Sequence, residues 1–234
     1  MYSIILWDVD GTVLDFEEAE AAAIRTIFKK FDLGEVTPEM IKRYSLINKK
    51  YWKRMELGEI EKKEVLVGRF REFLKEEGLD PSLAEALNRE YQLRLGDTIS
   101  YKDNAKELLL SLKGRVKQYA VTNGTYAAQE RKLKNSGLDK IFDEVFISEV
   151  VGYEKPDVRF FEGVYEKIGR PDKSGMIIIG DSLTSDIRVG NRGGIKTVWY
   201  NPKGLPNDAG EHVDYEIKDL REFPEIIFGP EGGR

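Results

Sequence analysis

Ser3-Ile4-Ile5-Leu6-Trp7-Asp8-Val9-Asp10-Gly11-Thr12 is the stretch on which the reading of this 234-residue chain turns. The apolar run over residues 3–7 stops abruptly at an aspartate. A short continuous apolar run is typical of a strand buried on both faces. Four later runs share the pattern, at residues 116–121, 145–147, 176–179 and 195–199. In the last of them Thr197, Val198 and Trp199 favour strand. Helical spacing separates these runs, as in Ala105, Leu108, Leu109 and Leu112, or Phe160, Phe161, Val164 and Ile168. Strand alternating with helix predicts an α/β fold, a Rossmann-like parallel sheet with helices on both faces.

The segment between the first two strands reads differently. Residues 17–95 show helical stripes throughout: Ala21, Ile24, Ile27, Phe28 and Phe31, then Val65, Phe70, Phe73 and Leu74, then Leu83, Ala86, Leu87 and Tyr91. A crossover helix needs only about a dozen residues. The excess predicts an inserted all-helical domain over residues 16–98, with the core formed by 1–15 and 99–234. Its hinges are expected near Leu14-Asp15-Phe16 and Gly96-Asp97-Thr98-Ile99.

Composition narrows the function. The chain is 41% hydrophobic and 34% charged, with a net charge of -5. This is a globular balance with no overall attraction for a nucleic-acid polymer. The absence of cysteine excludes thiolate catalysis and zinc–thiolate sites. No apolar run approaches the ~18 residues that span a bilayer. The first residues lack a basic leader pattern. The expectation is a cytoplasmic protein without membrane partners, a monomer or homodimer.

In open α/β sheets, ligands bind beyond the carboxyl ends of the strands. The segments that follow the runs are therefore the candidates: Asp8-Val9-Asp10-Gly11-Thr12, Thr122-Asn123-Gly124, Lys155-Pro156-Asp157 and Gly180-Asp181-Ser182-Leu183-Thr184-Ser185-Asp186. Asp8, Asp10, Asp181 and Asp186 form an oxygen-only metal set that suits Mg²⁺. Asp8 is positioned to act as a nucleophile on phosphorus, and Asp10 to give a proton to the leaving oxygen. Thr122, Asn123, Gly124 and Thr12 are the phosphate-binding candidates. Lys155 brings positive charge to the same edge. No GxxxxGK[ST] loop is present, so a P-loop is not the phosphate site.

These four segments, in this order, resemble the four motifs of the haloacid dehalogenase superfamily of phosphohydrolases across nearly the whole chain. The resemblance implies an aspartyl-phosphate formed on Asp8, with Asp10 as acid and base. It places Mg²⁺ on the Asp8 carboxylate, the Asp10 carbonyl and the Asp181 carboxylate, with Asp186 supporting them. It also implies that the inserted helices are a cap. The aspartate at position 10, where the dehalogenases of the superfamily carry tyrosine, favours phosphate-ester hydrolysis. Ile47-Asn48, Tyr51-Trp52, Leu57-Gly58-Glu59-Ile60 and Trp199-Tyr200-Asn201-Pro202 further resemble the pyrimidine 5′-nucleotidase-like branch. That branch implies a small phosphorylated metabolite as partner, a nucleoside 5′-monophosphate first. Asn48 and Trp52 are then the substrate-contact candidates.

Plainer readings stand beside these. Asp10-Gly11 and Thr122-Asn123-Gly124 are also ordinary turn sequences. Lys155 alone is a surface lysine by default. Asp186 alone is a helix-start carboxylate. Trp52 also reads as cap core, the commoner place for a tryptophan on a helix. The rival functions are a sugar-phosphate or phosphoglycolate-type phosphatase, a phosphomutase and a non-catalytic phosphate binder.

Overall fold

The computed structural model describes residues 2–229. The chain divides into two compact units. Of the described residues, one comprises 2–15, 100–126 and 136–229, and the other 16–99 and 127–135.

The first unit is built on a parallel sheet of six strands: β1 (Ile4–Trp7), β2 (Lys117–Thr122), β3 (Glu144–Ile147), β4 (Met176–Gly180), β5 (Lys196–Tyr200) and β6 (Tyr215–Ile217). Their order is β3-β2-β1-β4-β5-β6. The chain runs from β1 through β2 to β3 on one side, then crosses to β4 and builds β5 and β6 on the other, so β1 and β4 flank the point where the order reverses. The five strands expected from the apolar runs are present. β6 was not expected, because its three residues, Tyr-Glu-Ile, form no apolar run and lie beyond a Gly- and Pro-rich loop.

Both central strands are buried along their whole length, which is why they read as unbroken apolar runs. Leu6, Val121, Phe146 and Ile178 on one face of the sheet pack with Val189 of the helix Arg188–Gly193 around Phe160, Phe161 and Val164 of the helix Val158–Lys167. Register aligns the strand ends. Trp7 pairs with Ala120 and with Ile179, Thr122 with Ile147, and Gly180 with Trp199. The residues that follow these pairs therefore emerge along one edge.

The second unit is helical. Its long helices are Phe16–Lys30, Pro38–Glu56, Lys62–Glu76 and Ala84–Arg94. The second starts on a Thr37 cap whose hydroxyl accepts from the Met40 amide, with Pro38 at a position that needs no donor. An aromatic core holds the unit together. The Tyr44 ring lies 5.0 Å from Phe70, 5.3 Å from Phe73 and 5.6 Å from Tyr91, mostly in tilted or edge-on arrangements. Residues 127–135 of the helix Tyr126–Ser136 belong to this unit as well. Arg131 pairs with Asp97, and the Asn135 amide donates to the Gly96 carbonyl at 2.7 Å. Among the described residues no helix is long and apolar enough to cross a membrane.

Gly190, on the helix Arg188–Gly193, shows how tightly helix and sheet meet. A Cβ there would lie 2.5 Å from Ile178 Cγ2 and 2.6 Å from Thr197 Cγ2. Both neighbours are β-branched and stiff. Gly190→Ala is expected to cost about 2 kcal/mol by overpacking and to lower the melting midpoint by roughly 4–8 °C. A thermal denaturation scan against the parent protein checks this.

Candidate active site

Asp8 follows β1 directly, and its amide donates to the Ile179 carbonyl at 2.9 Å, so the ladder continues one residue past the strand. Its carboxylate is buried. Lys155 Nζ donates to Asp8 Oδ1 at 2.8 Å, and the Thr12 hydroxyl donates to Asp8 Oδ2 at 3.1 Å. Lys155 is 1% exposed. Its other two donors go to Asp186 Oδ1 at 2.6 Å and the Val121 carbonyl at 2.8 Å. An ammonium has three N–H groups, and here all three are used. Lys155 therefore places its charge against Asp8 and fixes that carboxylate.

The positions around this centre follow from local geometry. Gly124 N donates to the Thr122 hydroxyl at 3.0 Å, closing the turn after β2. The Asn123 side chain spans to the next motif, donating to the Lys155 carbonyl and accepting from the Lys155 amide, both at 2.8 Å. It thus holds the lysine's backbone in place. Asp186 sits on a single π-type turn, Leu183–Ile187, and its Oδ2 accepts from the Ser182 amide at 3.1 Å. A Cβ on Gly180 would lie 2.2 Å from Asp186 Cγ, so the strand ends on the one residue that lets this carboxylate fold back. Gly11 has φ +98°, and a Cβ there would lie 2.5 Å from Asp181 Oδ2. It serves both the turn and the approach of Asp181. The Asp181 carbonyl accepts from Trp199 Nε1 at 3.0 Å.

Asp8, Asp181 and Asp186 each bring one carboxylate oxygen into a group within 4.8 Å of one another. Lys155 offsets two of these carboxylates, Asp8 and Asp186, and the exposed Asp181 adds a third. Such a surplus of negative charge in hard oxygen donors is what a divalent cation of the Mg²⁺ type fits. Burial pushes the Asp8 carboxyl up to about 7. Lys155 opposes that rise, while Asp186 and Asp10 add to it. Burial alone would lower the Lys155 ammonium, but Asp186 and Asp8 outweigh it and hold it above the usual lysine value.

The two candidates in the helical unit are placed otherwise. Asn48 is 1% exposed and uses both ends of its amide, donating to Glu20 Oε1 at 2.7 Å and accepting from Arg69 at 2.6 Å. It bridges a buried carboxylate and a buried guanidinium. Burial raises the Glu20 carboxyl, with Ser45, Asn48 and Arg69 opposing. Trp52 is partly buried and packs against the unit's apolar cluster. Glu20 and Arg69 had no signal in the sequence beyond lying on helices, where charged residues ordinarily face water. His212 is exposed, with Nε2 3.4 Å from Asp214 Oδ1.

The family described as "Haloacid dehalogenase-like hydrolase" matches residues 5–200, and the chain belongs to it. It is a hydrolase of that class. Among individual proteins, pyrimidine 5′-nucleotidase PynA of Streptococcus pneumoniae is 37% identical over 228 residues, 97% of this chain and 95% of its own length. Pyrimidine 5′-nucleotidase YjjG of Escherichia coli is 27% identical over 95% of this chain and 96% of its own. The crystal structure of the HAD-hydrolase YfnB from Bacillus subtilis, bound to magnesium, superposes with a TM-score of 0.91 at 36% identity. It covers 97% of this chain and 99% of that one.

The charge balance makes a stability prediction. The Asp8 carboxyl ionises near 3.8 when unconstrained and near 7 in the fold. Above the lower value the folded state holds a proton that the unfolded state has lost, so stability falls as pH rises toward the upper value. In metal-free protein, Asp8→Asn is expected to raise the melting midpoint more at pH 8 than at pH 5. Lys155→Met is expected to lower it at both, because it leaves buried carboxylates without their cation. Thermal melts of the two variants at the two pH values check the signs.

Proposed function

We propose that this protein is a magnesium-dependent phosphomonoesterase that acts through an aspartyl-phosphate on Asp8, with a nucleoside 5′-monophosphate as its substrate. The observation that carries the reading is the 2.8 Å contact from Lys155 to a buried Asp8 carboxylate, at the end of the central strand and inside a three-carboxylate cluster. A buried carboxylate held rigidly by a cation and a hydroxyl is a pre-oriented nucleophile. The choice of a nucleotide rests on the two nucleotidases that match this chain over nearly its whole length.

A Mg²⁺ ion held by Asp8, the Asp10 carbonyl and Asp181, with Asp186 beside them, would screen the repulsion between nucleophile and phosphate dianion. Asp8 forms the new bond to phosphorus as the bond to the leaving oxygen breaks. Asp10 gives that oxygen its proton. Asp10 then takes a proton from the water that attacks the acyl phosphate, which restores Asp8 and releases inorganic phosphate. Thr122 and the amides around Asn123 and Gly124 orient the phosphoryl oxygens. Lys155 favours the ionised form of Asp8 and aims it at phosphorus before attack, and losing a fixed charge of this kind costs about a hundredfold in rate.

Two outcomes test the proposal. With Mg²⁺, a phosphate-release screen over nucleotides, sugar phosphates and short-chain acid phosphates should show the highest kcat/KM for a pyrimidine nucleoside 5′-monophosphate. A higher value for a sugar or acid phosphate would refute the substrate assignment alone. Asp8→Asn should reduce release to background on every ester while the protein stays folded, and chelation of divalent metal should do the same reversibly. Near-parent activity in either case removes the nucleophile or the metal from the mechanism.

A further inference from the structure

The loop that carries Asp10 is tied to the two chain segments that lead out of the sheet unit and back into it. Leu14 N donates to the Val9 carbonyl at 2.8 Å, and its carbonyl accepts from Gly11 N at 2.9 Å, which bridges Leu14 to Asp10. Leu14 also pairs antiparallel with Tyr101. There Lys102 N donates to the Val13 carbonyl at 3.0 Å and Asp15 N to the Ser100 carbonyl at 2.8 Å. Beside this short ladder, Lys102 Nζ donates to Asp15 Oδ2 at 2.7 Å, with side chains 22% and 28% exposed.

The returning segment is anchored in turn. Asp103, the next residue, has a left-handed backbone at φ +41°. Its Oδ2 accepts from the Tyr200 hydroxyl at 2.9 Å and from the Leu220 amide at 3.0 Å. Tyr200 ends β5. A continuous series of bonds therefore runs from β5, through Asp103, Lys102 and Asp15, to the backbone on either side of Asp10.

We propose that Asp15 and Lys102, braced by Asp103 and Tyr200, are positioning residues for the proton transfer made by Asp10. The inference rests on the phosphatase reading. Asp10 lies past the end of β1 and outside the regular ladder, so its place depends on the bonds of Val9, Gly11 and Leu14. The ladder that steadies those bonds is only a few residues long, and Asp15–Lys102 is the side-chain contact that closes it. An ion pair of this exposure adds little to global stability. Its effect falls instead on geometry, because an acid must lie within hydrogen-bond reach of the oxygen it protonates, and a shift of about 1 Å costs up to about a hundredfold.

The step at issue is the first. The bond from phosphorus to the leaving oxygen breaks as the bond to Asp8 forms, and the proton of Asp10 passes to that oxygen. An alkoxide needs the proton, whereas a nitrophenolate leaves without it. kcat/KM is therefore measured on a nucleoside 5′-monophosphate and on p-nitrophenyl phosphate, with Asp10→Asn defining full loss of the acid. Lys102→Met should fall roughly tenfold or more on the nucleotide and no more than about twofold on the aryl ester. Lys102→Arg should restore most of the nucleotide activity. Tyr200→Phe, which removes one hydroxyl, should shift the ratio in the same sense by less, and it carries the test should Lys102→Met fail to fold. Equal losses on both esters, or none on either, overturn the positioning role. A parent protein that releases phosphate from neither ester overturns the phosphatase reading and this inference with it.

Discussion

The site depends on one buried cation. Lys155 is taken fully out of water, a step that is costly for an ammonium unless its charge is matched and its donors are used. Both conditions are met by partners from three separate motifs: Asp8 after β1, the Val121 carbonyl within β2, and Asp186 on the turn after β4. Each contact constrains a different segment, so the lysine fixes their mutual distance. The reverse also holds. Without the lysine, the three converging carboxylates would repel one another at close range with no protein charge to offset them.

The sheet makes that convergence possible. Parallel strands in common register deliver their following residues to one edge, and the reversal of order beside β1 leaves room there for side chains. The finer adjustment comes from glycine. Gly11 and Gly180 stand where a methyl group would strike Asp181 and Asp186 respectively. Their absent side chains make room for the carboxylates, so the packing of the acidic cluster and the shape of the backbone are one constraint.

The parts of this arrangement legible in the sequence were those written as local patterns. The buried central strands show as unbroken apolar runs, the helices of the second unit as stripes at helical spacing, and the polar cluster as carboxylates, an amide and a lysine placed after strands. β6 escaped because three residues with one buried side chain leave no periodic trace. The partners of individual groups escaped for a different reason. The sequence marks Thr12, Asn123 and Asn48 as polar residues near motifs, but it does not show that Thr12 donates to Asp8, that Asn123 clasps the Lys155 backbone, or that Asn48 links Glu20 to Arg69. Such pairings join residues as far as 32 positions apart, and only the folded chain brings them within bonding distance. Asp15 was visible as a hinge residue, and its partner Lys102 sits just past the second hinge. A pair of opposite charges flanking an insertion is the one trace the brace left in the sequence.

That brace bears on why an insertion is tolerated so close to Asp10. Closing a loop costs entropy that grows only slowly with its length, so the many residues between Asp15 and Ser100 add little once the two ends are joined. What matters is that the ends stay joined at the same place. The Leu14–Tyr101 bridge and the Asp15–Lys102 pair do this within the sheet unit, before the chain leaves it and after it returns. The bonds of Val9, Gly11 and Leu14 around Asp10 then rest on a closed ladder instead of a free chain end. A helical domain of any length could be placed between those ends with the same local consequence for the loop that carries Asp10.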